Sequence, residues 1–584
     1  MYNFPEGFLN NKVRPNNKKI DECIEKLDDR DRLSNPVFKA FAYPSKIFYP
    51  NIQKFIRLYS NEGDVVLDSF AGSGSTGIAS LLEGRKSVLI DDSPYANFIE
   101  KNIFSKVDLN KVEVAYQRLV RELEPIINRI YKTRTSDGKW GILQSLITSN
   151  LYSCPSCNKV MDLNNKETGK RSEYECPNCG NVINIATTEI KERKVADREP
   201  IEVVVKYKND EGKVKKETRQ VTEDDKVTWD GNVRAVKENF DGLWEPATEI
   251  VYNRSYPRVG GWPGFPINSK VGALFSQKNL LALKIINQYI EKINNKEVKT
   301  FFKYVFTESL FRSSKRLFKT SGIKNIYHIP PIGKEQNVFV VFNRKYKAIL
   351  KGKKFLNAKI QNKGFNDVIC IKGNSRKLNF KDDIFDYAFI DPPYGGVVPY
   401  AELNLFYSAW LNEDEDLKNE VNIPMDYDKK QEWADKWGKM IYESFNEVFR
   451  TLKPGSYMTI VFQSKFDTVW NELKKVLIQK IGFKFVSFTS NNRGTTFHTN
   501  SLDDTNPKSA FITYQKPLTE IRDKTQEIRT NVFDLVPTDY LNRDLSFREI
   551  QDYLIGIAMS NDGVAIPSDH EIKEWLKSKK YYLR

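Results

Sequence analysis

Residues 61–93, NEGDVVLDSFAGSGSTGIASLLEGRKSVLIDDS, constrain what this 584-residue chain can fold into more than any other stretch. Val65-Val66-Leu67 is an apolar, strand-sized run, Asp68 through Thr76 is a turn of small residues, and Gly77-Ile78-Ala79-Ser80-Leu81-Leu82 reads as the opening of a helix. A second strand, Ser87-Val88-Leu89-Ile90, runs into Asp91-Asp92. This is the first βαβ unit of a doubly wound sheet, in which ligands bind beyond the carboxyl ends of the strands. Gly72, Gly74 and Gly77 satisfy GxGxxG, which taken alone also admits a nicotinamide or flavin cofactor. No Gly-Lys-Ser/Thr follows, which disfavours a phosphate-binding Walker loop.

Far downstream, Phe385 through Ile390 is a strand that runs into Asp391-Pro392-Pro393-Tyr394. Neither proline has an N–H to donate, so the sheet cannot continue through them. The stiff loop projects a carboxylate, a backbone carbonyl and an aromatic ring from the end of a buried strand. Methylation of an exocyclic amine needs these groups. Acceptors at Asp391 and the Pro392 carbonyl would hold the NH2 with its lone pair free, and Tyr394 would stack on a base turned out of the duplex. Positioning then carries most of the catalysis, without a covalent enzyme intermediate.

The run from Asp68 to Gly77 resembles motif I of S-adenosylmethionine-dependent DNA amino-methyltransferases. The pattern DPPY…YAEL…FYSAWL, with Tyr400, Glu402, Leu403 and Trp410, resembles motif IV of the zinc-ribbon-containing adenine-specific DNA methylases. Tyr43-Pro44-Ser45-Lys46-Ile47-Phe48-Tyr49-Pro50, followed by Phe55 to Ser60, looks like the family's motif X. The similarity covers roughly residues 40–105 and 365–515, with a weaker match at 272–283. It implies an α/β, Rossmann-like methyltransferase sheet with S-adenosylmethionine as cofactor. Lys46, Asp68, Phe70, Ala71, Gly72 and Gly74 would meet the cofactor, with Asp91, or its neighbour Asp92, on the ribose hydroxyls. Asn374 stands where the family has an acid beside the adenine. Asp391, Pro392, Pro393 and Tyr394 would be catalytic. Asp in the first place of the tetrapeptide favours N6 of adenine over N4 of cytosine.

The distance between the two motifs is informative, because 314 positions separate Gly77 from Asp391 where an ordinary crossover needs a few tens. The expected organisation is a first methyltransferase part at 1–105, an insertion at 106–360, a second part at 361–518 and a helical tail at 519–584. Within the insertion, Cys154-Pro-Ser-Cys157 and Cys176-Pro-Asn-Cys179 have the spacing of four thiolates around one structural Zn(II), a ribbon at about 150–185. Helical spacing marks 106–135 and 277–293. Trp262 falls in a Gly/Pro-rich loop suited to a buried anchor. Cys23 and Cys370 read as unpaired thiols, and His328, His498 and His570 have no metal-site spacing.

Charge points to the partner. Residues 301–360 hold fourteen Lys/Arg against two acids, +12 of the chain's net +15. Cations interleaved with Phe311, Phe318, Tyr327, Phe342, Tyr346 and Phe355 suit phosphate contacts and base stacking, so Arg312, Lys315, Arg316, Lys319, Arg344, Lys345 and Lys347 are the candidate nucleic-acid ligands. The longest apolar runs, such as Val338-Phe339-Val340-Val341-Phe342, are strand-sized, and no stretch reaches membrane-helix length. The N-terminus lacks a signal-peptide core, so a cytoplasmic location is expected.

The expectation is therefore an adenine-N6 methyltransferase acting on double-stranded DNA with a flipped target base, in a restriction-modification or phage-defence setting with or without defence-system protein partners. Cytosine-N4 methylation and a non-catalytic DNA-binding scaffold of a defence complex are the alternatives.

Overall fold

Seven strands form one sheet: β1 Val65–Asp68, β2 Lys86–Asp91, β3 Val368–Lys372, β4 Phe385–Ile390, β5 Leu452–Phe462, β6 Lys484–Ser490 and β7 Ala510–Gln515, in the order β3-β2-β1-β4-β5-β7-β6. All neighbours pair in parallel except β7, which runs antiparallel to both β5 and β6. The computed structural model describes residues 2–9, 27, 30–41, 43–44, 46–170, 172–240, 242–250, 269–319, 329–360, 365–394, 398–421, 430–464, 466–490, 510–519, 530–542, 545–561, 563–579 and 581. Cys23, Ser45, Trp262, Lys324, Tyr327, His328 and His498 lie outside the described residues.

Register explains how motifs so distant in sequence meet. Leu67 of β1 lies opposite Val88 of β2 on one side and Ala388 of β4 on the other. The glycine turn after β1 and the Asp-Pro-Pro-Tyr loop after β4 therefore leave adjacent strand ends, at the point where the strand order reverses and a crevice opens. The inner strands are apolar because both faces are covered. Asp386 is the exception on β4, and it accepts from the Val65 amide and pairs with the Lys453 ammonium.

Helices cover both faces. On one, α1 (Tyr49–Tyr59) stacks Phe55 against Phe511 of β7 at 4.8 Å between ring centroids, while α2 (Ser75–Leu82) packs on β2 and α3 (Pro94–Phe104) on β2 and β3. On the other, α4 (Lys430–Thr451) buries Trp437, Ile441 and Phe445 in an apolar cluster with Ile460 and Ile512. Ile550 and Leu554 of α5 (Phe547–Ser560) and Ile572 and Leu576 of α6 (Asp569–Ser578) belong to that same cluster. The tail is thus part of the core. Lys474, 3% exposed, donates to the carbonyls of Ala558, Asn561 and Val564, closing the C-terminal end of α5.

The chain divides into two units, one of Met1–Ser105, Gly352–Asn404 and Glu415–Arg584, and one of Lys106–Lys351 with Leu405–Asp414. The second has its own antiparallel sheet, ordered Ile332–Gln336, Trp140–Ser153, Lys194–Lys208, Val214–Gln220, with Lys132–Arg134 and Val160–Asp162 also pairing to Trp140–Ser153. Helices Leu109–Ile130 and Gln277–Glu291 stand where helical spacing is found. The Val338–Phe342 run, strand-sized by length, instead opens the helix Val338–Ile360. Asn337 caps it, its Oδ1 accepting from the Phe339 and Val340 amides at 2.9 and 3.3 Å, which starts helical hydrogen bonding at that point. Residues 405–414 also depart from the expected second methyltransferase part. Trp410 packs against Phe275 and Phe306 inside the second unit, so the FYSAWL end of the motif serves that core. No described helix is long and apolar enough to cross a membrane.

Candidate active site

Asp91 is fastened to the glycine turn. Its Oδ2 accepts from the Gly72 amide at 2.8 Å and its Oδ1 from the Ser93 amide at 3.0 Å. Asp68, 2% exposed, accepts from the Phe70 amide at 3.0 Å and the Thr76 hydroxyl at 2.6 Å. Gly72 has φ +52°, and a Cβ there would stand 3.0 Å from the Tyr43 ring, so the turn leaves its backbone open to a ligand only as glycine. Gly77 serves packing, since a Cβ there would lie 2.7 Å from Phe104 and 2.8 Å from Leu89.

Tyr43, Asp68, Gly72, Asp91, Asn374 and Asp391 line one cavity at the carboxyl ends of the strands. Lys46, Phe70, Ala71, Asp92 and Pro393 contribute to the same wall. Of the candidate residues in this unit, Gly74, Pro392 and Tyr394 stand off the lining. Gly74 is the left-handed cap of α2, Pro392 is buried, and the Tyr394 ring meets Phe462 edge-on at 5.5 Å. The Tyr394 hydroxyl donates to Asp391 Oδ1. Lys46 faces the cavity but its ammonium donates to the Phe41 carbonyl at 2.9 Å. Asn374 Oδ1 accepts from the Arg376 amide at 2.9 Å, which orients its amide edge.

Three participants carry no motif signal. Asn404 donates to both the Tyr43 hydroxyl (3.0 Å) and Ser93 Oγ (2.9 Å), joining three segments of the wall. Glu420 caps the helix Tyr400–Ser408 by accepting from the Tyr400 amide at 2.7 Å. Glu100 of α3 is fully buried behind the turn, within 3.4 Å of where a Gly74 Cβ would be. Only an acid inside an otherwise apolar helix face hints at it in the sequence.

Burial pushes the Asp68 carboxyl up to about 7 against the pull of its Thr76 hydrogen bond, and the Asp91 carboxyl up to about 6. Burial also holds Glu100 well above the ordinary carboxylate range, helped by nearby Asp91 and Asp68. The cavity is thus rich in acceptors and crowded with acids, an environment for a ligand that brings hydroxyl donors and positive charge.

In the second unit, the sulfurs of Cys154, Cys157, Cys176 and Cys179 all lie within 4.8 Å of one another. Cys154 and Cys179 are 3.6 Å apart and Cys157 and Cys176 3.8 Å. A tetrahedral zinc with Zn–S bonds of about 2.3 Å places its sulfurs about 3.8 Å apart, so the four thiols fit one ion. Each knuckle closes with a left-handed residue, Asn158 (φ 54°) after the first pair and Gly180 (φ 72°) after the second, whose amides donate back to Cys154 and Cys176 at 2.9 Å.

The basic segment is divided in its uses. Arg316 is buried, its guanidinium over the Phe311 and Phe406 rings, and Lys345 pairs with Glu308 at 2.7 Å. Lys315 donates to the Ala273 carbonyl and Lys319 to Asn165, while Arg344 donates to Gln336. Lys353 donates to the carbonyls of Asn102, Ile103 and Ser105. Arg312 is half-buried, and Arg344 and Lys347 are exposed on the helix Val338–Ile360.

A doubly wound sheet ordered 3-2-1-4-5-7-6, with a glycine turn after the first strand and an acid after the second, is a Rossmann-like fold that carries its ligand-binding crevice at the switch point. Within it, residues 11–101 match the family model described as DNA methylase. The chain is 28% identical over 93 residues to the type II methyltransferase M.MjaII of Methanocaldococcus jannaschii, covering 16% of this chain and 17% of that protein. To the type II methyltransferase M.BglI of Bacillus subtilis it is 30% identical over 95 residues, 14% of this chain and 27% of that one. The chain therefore spans about a quarter or less of these relatives' lengths. A solved DNA modification methylase candidate from Thermus thermophilus aligns over 27% of this chain and 56% of that one at 16% identity, with a TM-score of 0.16. A solved S-adenosylmethionine-dependent methyltransferase from Methanosarcina mazei aligns over 26% and 68% at 17% identity, with a TM-score of 0.15. At such scores the fold rests on the sheet order itself.

Proposed function

We propose that this chain transfers a methyl group from S-adenosylmethionine to the N6 amine of adenine in DNA. The observation that carries the reading is the meeting of Asp391 with Asp68, Gly72 and Asp91 in one cavity wall. The cofactor fits the residues present: the Gly72 backbone has no room for a side chain, and Asp91 offers carboxylate oxygens held in place by two amides. When bound, S-adenosylmethionine supplies an electrophilic methyl group. The chain's own part is to accept hydrogen bonds from the target amine at the Asp391 carboxylate and the Pro392 carbonyl, to stack the extruded base on Tyr394, and to exclude water.

Zn(II) in the four-cysteine site would be structural, with no position left for a water. The second unit, including Arg312, Arg344 and Lys347, would contact the DNA, in a cytoplasmic restriction-modification or defence setting. Cytosine N4 is the alternative target because the same loop can hold either amine.

The test is incubation with labelled S-adenosylmethionine and mixed-sequence DNA, followed by digestion to nucleosides. Label in N6-methyladenosine supports the proposal, label in N4-methylcytosine replaces it with the alternative, and label surviving in Asp391→Ala overturns the catalytic assignment.

A further inference from the structure

The second unit's sheet presents an open face whose cations are dispersed along the sequence. Cross-strand register places Lys132, Ile142, Lys206 and Lys216 in one row over four strands. Strands stand roughly 4.8 Å apart, so the row is about 14 Å long. One step further along the same face come Arg134 opposite Trp140, and Lys208 opposite Val214. Lys132, Arg134, Trp140, Lys206, Lys208 and Lys216 are all exposed, whereas Val203 and Val205, of opposite parity, are buried. The wet face is therefore the cationic one.

Trp140 organises one end. Its ring, 48% exposed, carries the Lys132 ammonium at 4.1 Å and the Arg134 guanidinium at 4.3 Å from its centroid. The ring holds the two cations in place, which lowers the ordering cost of meeting an anionic partner. At the other end Lys206 and Lys216 are directly opposite each other, a like-charge pair that is unfavourable until an anion lies over it. Acids at the nearby turns are engaged elsewhere: Asp137 and Asp210 with Lys139, and Glu211 with Lys213. Glu217 points to the opposite face by parity and accepts from the Ser136 amide. Of the acids that register puts on this face, Glu202 stands two rows from Lys206, and Glu199, opposite Ser149 further along, pairs with Lys226.

We propose that this sheet face, built from Lys132, Arg134, Lys206, Lys208 and Lys216 around Trp140, is a phosphate-backbone contact for duplex DNA. The inference rests on the reading of DNA as substrate. About 14 Å of duplex axis carries roughly eight phosphate charges over its two strands, of which the row would meet those on one side, and a rigid cationic sheet face reads backbone and no base edges. It supplies affinity and register for the duplex, not sequence choice.

The test uses the full chain and a fluorescein-labelled mixed-sequence duplex, with anisotropy followed over a salt series. The triple variant Lys132→Gln/Lys206→Gln/Lys216→Gln should bind at least tenfold more weakly at moderate salt. Its log K against log salt slope should be shallower by about 2–3. Cofactor affinity should be unchanged and thermal stability no lower, since relief of the Lys206/Lys216 repulsion can only raise it. Should the triple variant misfold, the single Lys216→Gln, on an exposed strand, should still reduce the slope by about one. An unchanged slope in a folded variant overturns the proposal, as does wild-type binding to anionic phospholipid vesicles with none to the duplex. Duplex binding that weakens as expected in a protein that never methylates DNA would leave this surface standing and sink the methyltransferase reading.

Discussion

The Tyr394 hydroxyl donates a hydrogen bond to the Asp391 carboxylate within the Asp-Pro-Pro-Tyr loop. On the proposed reading, one of the acceptors for the target amine is thereby bonded to the residue that would stack on the base. Both must change partners when a base enters. Asp391→Ala should lower methyl transfer by about 10²–10⁴-fold, the range for a positioned proton acceptor. Tyr394→Phe keeps the ring and removes only the hydroxyl's hydrogen bond, so its loss should be under about tenfold, whereas Tyr394→Ala should also lose stacking of about 1–3 kcal/mol in DNA affinity. Single-turnover rates and duplex titrations of the three variants separate these effects.

The acids behind the glycine turn make an unusual pH dependence. Asp68 and Asp91 have folded pKa values of about 7 and about 6, raised by burial above the ordinary carboxylate value. The native state then binds more protons than the unfolded one between about pH 4 and 7, so these groups contribute most to stability at acid pH and lose that contribution as pH rises. The melting temperature of the ligand-free protein should increase as pH is lowered from about 8 to about 5.5. Glu100→Gln, which removes a third buried acid, should raise the melting temperature at neutral pH and flatten the profile. Differential scanning calorimetry over that pH range checks both.

Metal analysis of the purified chain should return one zinc per molecule. Cys176 is buried, its sulfur 3.8 Å from that of Cys157. Cys176→Ala should lose the metal and make the 150–185 region sensitive to protease, while cofactor binding in the other unit, followed by calorimetric titration, persists.

Lys474 joins the sheet unit to its C-terminal helices through three carbonyls. Lys474→Met keeps the stem and strands those acceptors, at a cost of about 2–4 kcal/mol in urea unfolding. Deletion of 530–584 should do worse, because Ile550, Leu554, Ile572 and Leu576 are core residues.

Much of the site was legible because its chemistry is local. A glycine turn needs φ above zero at Gly72 and a proline pair ends a strand wherever it falls, and the short windows around them resemble known motifs, which is how Asp68, Gly72, Asp91 and Asp391 could be named. The four cysteines were legible for the same reason, their knuckles each spanning a few residues. Asn404 and Glu420 were not, since each acts by reaching a partner in another segment, and Glu100 was not because its burial behind the turn is set by packing. The charge excess misled in part. The 301–360 run puts Arg316 and Lys345 against rings and Glu308, while an exposed cationic face arises from residues 132–216, where the sequence shows no such run.

By itself the sequence determined the βαβ start, the strand that ends in Asp-Pro-Pro-Tyr and the metal-type cysteine spacing, because dihedral limits and periodicity act over a few residues. Only the tertiary structure decided that β1 and β4 are neighbours, that residues 405–414 join the second unit and that the tail completes the core. Those outcomes depend on strand register and on which apolar faces cover one another, quantities fixed by contacts hundreds of residues apart.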